Sequence, residues 1–168
     1  MGCRFVKQEF KDKTNLKDSF FDGYEYKGYK VRTKLVIEGH REYKPIKIAN
    51  SREVYETFKK LVESDKERFY SLFLDPKNKV IGVEMVSQGS LESSPVHPRE
   101  VYKSALLASA SSLIFVHSHP SGDPEPSLAD KEITRLLKSA GELLQIGVLD
   151  HVIVGLNKYY SFADRGEL

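Results

Sequence analysis

The sequence has little of several things that would settle its class at once. It holds one cysteine, Cys3, in 168 residues, so no disulfide can form within the chain and no C-x-x-C pair offers thiolates to a zinc ion. A reducing, cytoplasmic setting is expected on that ground. No apolar run approaches the roughly 20 residues that cross a bilayer, and the opening MGCRFVKQEF lacks the apolar core of a secretory signal. Membrane partners are therefore not expected. Gly2 and Cys3 stand where lipidation signals place them, but Val6 occupies the position that myristoylation gives to Ser or Thr. Charge of one sign is scarce too. The 26 Lys and Arg against 24 Asp and Glu leave a net charge of +2, too small an excess to announce a nucleic-acid partner. There is no internal repeat and no low-complexity tract.

What remains is ordinary globular material, 40% hydrophobic and 30% charged, enough for one domain with an appended segment. Residues 1 to about 27 are charged and aromatic without clean periodicity, an irregular arm. From Tyr29 the pattern alternates through Val31, Thr33, Leu35 and Ile37, breaks at Glu38-Gly39-His40-Arg41 and resumes at Tyr43, Pro45 and Lys47, which predicts a β-hairpin. Composition then shifts. Asn50 followed three residues later by Glu53 is an N-cap with a capping-box partner, and Val54, Phe58, Leu61 and Val62 give the helix behind it an apolar face. The arm and hairpin are thus assigned to residues 1–49 and the compact domain to 50–168.

Within that domain the pattern predicts strands over 69–74 and 80–86 joined by the turn Asp75-Pro76-Lys77-Asn78, with Gly89 and then Ser93-Ser94-Pro95 ending the second. A helix opens at His97-Pro98, with the histidine capping it, and its residues 101–110 face the core. A strand follows over 112–117, then a helix from Ser127 to about Gln145 whose buried stripe is read as Ile133, Leu136, Leu137, Ala140, Leu143 and Leu144. Strands over 148–154 and 159–162 close the sheet. The order α-β-β-α-β-α-β-β predicts an α/β (α+β) domain with a mixed sheet flanked by helices.

The chemistry gathers in VHSHPSGDPEPSLAD, residues 116–130. Side chains two apart on a strand share a face, so His117 and His119 can converge on one ion. Asp130 lies eleven residues beyond His119, and Pro120, Pro124 and Pro126 keep the connecting loop out of helix. Two imidazoles and one carboxylate would leave a tetrahedral Zn²⁺ one open position, as catalytic sites do. A plainer account fits the same residues: S-x-x-D before an apolar stripe is a helix cap, Ser127 at the N-cap and Asp130 at N3. Spacing alone supports both, and they are compatible.

The motif His117-x-His119-Pro120, six residues, Ser127, two residues, Asp130 resembles the H-x-H-P-x(6)-S-x(2)-D signature of the JAMM (MPN+) metal-dependent hydrolases. Together with EVYETFKK, ERFYSLFLDPKNKVIG, VHPREVYKSAL, LDHVIVG and YYSFADRG in this order, it makes residues 50–168 similar to a RadC domain. The resemblance implies a cytidine-deaminase-like mixed sheet, one Zn²⁺ per chain held by His117, His119 and Asp130, Glu67 as the general base, and Ser127 as an oxyanion donor. Glu84, also at a strand position, is a rival base. Two departures stand out: Ser118 where RadC proteins usually carry asparagine, and no helix-hairpin-helix pattern in residues 1–49.

The resemblance therefore implies a zinc-dependent hydrolase, best suited to amide bonds, with a protein or peptide as substrate. A nuclease remains open as an alternative, although such sites often use two metals about 3.5–4 Å apart and one ligand set is visible. So does a non-catalytic binding module in DNA repair or recombination. Arg32, Lys34, Arg41, Lys44 and Lys47 interleave with Tyr29 and Tyr43 and could touch nucleic acid, but a solvated hairpin face explains them more simply. His40 is placed at the hairpin tip, and Asp150-His151 in a buried strand as a core pair or a support for a ligand histidine. Composition carries no signal of oligomeric state.

Overall fold

The computed structural model describes residues 47–89 and 96–168. The expected arm lies outside them, as does the hairpin except for Lys47. The described chain begins inside the sheet domain: Lys47 bridges antiparallel to Lys79, the Ile48 N–H donates to the Asn78 carbonyl at 3.2 Å, and Ile48 is buried.

The elements are α1 (Ser51–Phe58) continuing into a 3₁₀ turn (Lys59–Glu63), β1 (Arg68–Leu74), β2 (Val80–Gln88), α2 (Pro98–Leu107), β3 (Ser112–Ser118), α3 (Leu128–Leu144), β4 (Gly147–Val154) and β5 (Tyr159–Ser161). The five strands form one mixed sheet in the order β2-β1-β3-β4-β5. Only the β3–β4 pair is parallel, and α3 is its crossover. The predicted order and class hold.

Every residue of β3 is buried because the strand is flanked on both edges and covered on both faces. Alternation divides its side chains. Leu113 and Phe115 join Phe69 and Phe73 of β1, Val101, Tyr102 and Ala105 of α2, and Leu137 of α3 in one cluster. Ile114 and Val116 turn to the other face, with Leu72, Leu74, Val152, Val154 and Val54 of α1. Each such buried side chain contributes about 1.5–3 kcal/mol, so much of the domain's hydrophobic stabilisation is concentrated at the centre of the sheet.

The helix ends follow local rules with three corrections. The Asn50 side chain accepts from the Glu53 N–H at 3.0 Å, as expected, but the Glu53 carboxylate reciprocates to Ala49 N–H at 2.9 Å. His97 occupies the N-cap position of α2 without donating or accepting a side-chain capping bond; Pro98, which needs no partner for its nitrogen, makes the start. Half of the predicted α3 stripe holds, Leu137 being buried and Ile133 and Ala140 packed against the core, and the other half does not. Leu136 and Leu143 are 52% and 84% exposed, and Leu144 is exposed too, while the buried residues are Asp130, Thr134, Leu137 and Gly141. Position 141 must be glycine on this inward face, because a Cβ there would lie 2.5 Å from the Tyr102 hydroxyl and 2.6 Å from the Ile146 carbonyl. Close approach to α2 and β4 outweighs burial of the more apolar face.

Candidate metal centre

The carboxyl end of β3 and the amino end of α3 meet at one rim of the sheet, the place where open α/β sheets bind ligands. Alternation carries His117 onto the same face as Phe115, 2% exposed. The strand ends at Ser118, yet His119 keeps its line because its N–H donates to Val154 O at 3.0 Å. The two rings lie 4.8 Å apart, edge to face.

The loop beyond is pinned. Gly122 N–H donates back to His119 O at 2.9 Å, and Leu156 N–H to Gly122 O at 2.8 Å. Gly122 has φ 81°, and a Cβ there would sit 3.0 Å from that of Leu156, so glycine is needed for both reasons. This folding brings the Asp123 carbonyl to 2.8 Å from His119 Nδ1. A carbonyl only accepts, so Nδ1 is the protonated nitrogen of the neutral ring and Nε2 the one left for a ligand. That is the tautomer of a metal-ligating histidine.

The capping box forms. Ser127 Oγ accepts from Asp130 N–H at 3.1 Å and donates to Asp130 Oδ2 at 2.6 Å, and Ser127 N–H donates to the same oxygen at 2.8 Å. These bonds fix Asp130, 1% exposed, with Oδ1 2.8 Å from His117 Nδ1 and Oδ2 3.5 Å from His119 Nε2. On the other side of His117, Glu67 Oε2 lies 3.8 Å from Nε2. Register explains its place: Phe69 pairs with His117 and Arg68 with Ser118, so Glu67 stands just past the strand end. One ligand atom from each of Glu67, His117 and His119 lies within 4.8 Å of the others.

Glu84 is brought elsewhere. It pairs with Ser71, itself opposite Phe115, which puts it down the sheet and on the far strand from His117. Asp150 and His151 separate by alternation: Asp150 accepts from Ser161 Oγ at 2.7 Å and Ala163 N–H at 3.0 Å, while His151 turns toward His117, the rings 6.2 Å apart and nearly parallel. His40 lies outside the described residues. Sequence reasoning missed Thr134 and the Asp123 carbonyl. Thr134 was legible as a polar residue one turn after Asp130 on the same helix face; the Asp123 carbonyl, being backbone, carries no signal.

The charges reinforce one another. Burial would raise the Asp130 carboxyl, but the adjacent His117 and His119 and the Ser127 cap outweigh it and hold Asp130 well below the usual carboxylate range. Burial would lower His117, and Asp130 and Glu67 overcome it, so His117 is raised. The nearby His117 ring lowers Glu67 against the effect of burial.

A divalent ion fits this donor set on a specific ground. His117 Nδ1 and Asp130 Oδ1 are both buried and, although close, neither has a hydrogen-bond partner among the described residues. At 2.8 Å they attract each other without meeting as donor and acceptor; a shared cation would satisfy both. A half-turn of the His117 ring exchanges its nitrogens within the same outline, so either can face the ion. Imidazole and carboxylate donors suit Zn²⁺ among biological metals.

Residues 48–167 match the family model of the RadC-like JAB domain. Among curated relatives, a UPF0758 protein of Chlorobaculum tepidum is 48% identical over 124 residues, 73% of this chain and 56% of that protein. A UPF0758 protein of Methanosarcina mazei is 50% identical over 121 residues, 71% of this chain and 53% of that one. A third, from Trichlorobacter lovleyi, is 53% identical over 108 residues, 64% of this chain and 47% of its own length. The chain spans about half the length of the curated relatives it matches.

Proposed function

Because the chain belongs to the RadC-like JAB domain family, we propose that it is a zinc-dependent hydrolase that cleaves amide bonds in a protein or peptide substrate. The observation that carries this reading is the convergence of Glu67, His117 and His119, with buried Asp130 set against His117 at 2.8 Å in a contact that makes no hydrogen bond. His117, His119 and Asp130 would hold one Zn²⁺, which when bound polarises a carbonyl and draws the pKa of a coordinated water toward about 7.

The chain's own residues supply the rest. Glu67, one third exposed and held as a carboxylate by His117, sits at the open side of the cluster, where it can take a proton from an attacking water and return it to a leaving amine. Asp130, buried and committed to the Ser127 cap, has no such freedom. The Ser127 hydroxyl already donates to Asp130 Oδ2, so serving an oxyanion requires it to turn away from that carboxylate. The cap and the oxyanion role draw on the same proton.

The test begins with metal analysis of purified protein, expected near one zinc per chain. Wild type and Glu67→Gln are then incubated with cell lysate and compared for new protein N-termini and for nicked DNA. New N-termini with wild type alone support the peptidase reading; nicked DNA alone replaces it with a nuclease. Stoichiometric zinc with neither product favours the binding module.

A further inference from the structure

We infer that Thr134 and His151 form a positioning pair that sets Asp130 and His117 from beneath, with His151 donating from Nδ1 to the Thr134 hydroxyl; this deepens the metal-centre reading and rests on it. The Thr134 hydroxyl lies 2.6 Å from the Asp130 carbonyl and 2.6 Å from His151 Nδ1. A hydroxyl has one proton and a carbonyl only accepts. The proton therefore goes to Asp130 O, and Thr134 Oγ1 must accept from His151 Nδ1–H. His151 Nε2 is left with a lone pair, buried and without a hydrogen-bond partner among the described residues.

Threonine bonding to the carbonyl four residues back is common in helices. Here the same oxygen also receives a bond from another element, so the first turn of α3 is tied to β4 directly behind the donor set. The His151 ring cannot swing. It stacks on Phe162 at 5.0 Å and 4°, faces His117 at 6.2 Å and 13°, and meets Phe69 at 5.4 Å, with the residue wholly buried. A bound ion would be held by His117, His119 and Asp130; Thr134 and His151 would act only through them.

The test compares zinc affinity, by chelator competition, in wild type, Thr134→Val, Thr134→Ser and His151→Phe, with the cooperativity of thermal unfolding recorded for each metal-free protein. Valine keeps the shape and deletes the hydroxyl; phenylalanine keeps a ring in the stack and deletes the donor. Both are expected to weaken zinc roughly 10–100-fold, as loss of support behind a ligand does, while Thr134→Ser stays near wild type. In the metal-free wild type, nitrogen NMR should show His151 protonated on Nδ1. The inference is overturned if Thr134→Val and His151→Phe fold cooperatively and bind zinc as wild type does, or if the His151 proton sits on Nε2. A wild type that takes up no zinc removes the metal-centre reading itself, and this inference with it; variants that match a zinc-binding wild type remove the inference alone.

Discussion

Two aspartates are buried in this domain, Asp130 at 1% and Asp150 at 6% exposure, and their surroundings differ in kind. Asp150 is closed off: Ser161 and Ala163 donate to its two oxygens, Ser161 Oγ in turn accepts from Asp164 N–H at 3.0 Å, and Ser51 of α1 donates to Asp164 at 2.6 Å. The arrangement ties the C-terminal turn to the start of α1 and leaves nothing to bind. Asp130 has one oxygen saturated by Ser127 and the other aimed at His117 without a hydrogen bond. Burial therefore does not distinguish a site from a brace; the unspent donor atoms beside Asp130 do.

Substitution should break the comparison most sharply at the metal. Asp130→Ala or His117→Ala should abolish stoichiometric zinc by metal analysis, whereas Asp150→Ala should retain it. Next in size, Glu67→Gln should keep zinc yet lower turnover about 10²–10⁴-fold, the usual share of a proton-transfer group; Glu84→Gln should leave both near wild type, and the opposite outcome would transfer the base to Glu84. Acid should act on the metal site in a defined direction. His117 is raised and must be neutral to bind, so zinc affinity should fall as pH drops through that raised value, by up to about tenfold per pH unit for one displaced proton, followed by competition titration.

Smaller effects separate the two aspartates themselves. Asp150→Ala should cost about 1–3 kcal/mol in denaturant unfolding, the penalty for stranding Ser161 Oγ and Ala163 N–H. The two carboxyls also titrate in opposite senses. Burial raises Asp150, so this group adds stability as pH falls and loses it as pH rises through its folded value; Asp130 is depressed, so its contribution is present above the ordinary range and lost on acidification. Side-chain carboxyl NMR shifts of the metal-free protein should show Asp150 protonating first, and the reverse order would undo the contrast. Smallest of all, Asn50→Ala should cost about 1 kcal/mol, the worth of an ordinary cap, without effect on zinc.

Legibility followed the range of the forces involved. Caps were readable because both partners are neighbours in the chain, as at Asn50 with Glu53 and Ser127 with Asp130. Strand positions were readable from alternation and turn residues, and the two histidines from their spacing. The buried face of α3 was readable only in part: Leu137 was named, with Ile133 and Ala140 beside it, but by hydropathy Leu136 and Leu143 outrank Thr134 and Gly141, and contact with α2, β4 and His151 decides against them. His97 illustrates the same limit in miniature, since a residue can occupy a cap position without its side chain serving it. Glu67 came from family resemblance, and its place beside His117 became a matter of geometry once β1 paired with β3 in a register that sets Phe69 against His117.

By itself the sequence determined the elements, their order, the family, and the loop in which imidazoles and a carboxylate recur, because periodicity, capping and motif spacing act over a few residues. Tertiary structure decided which carboxylate of β1 or β2 reaches the histidines, which tautomer His119 adopts beneath the Asp123 carbonyl, and that Asp150 and His151, adjacent in the chain, serve opposite faces of the sheet. Those outcomes depend on strand register and on the burial of single hydrogen-bonding atoms, and neither is written in the local pattern of residues.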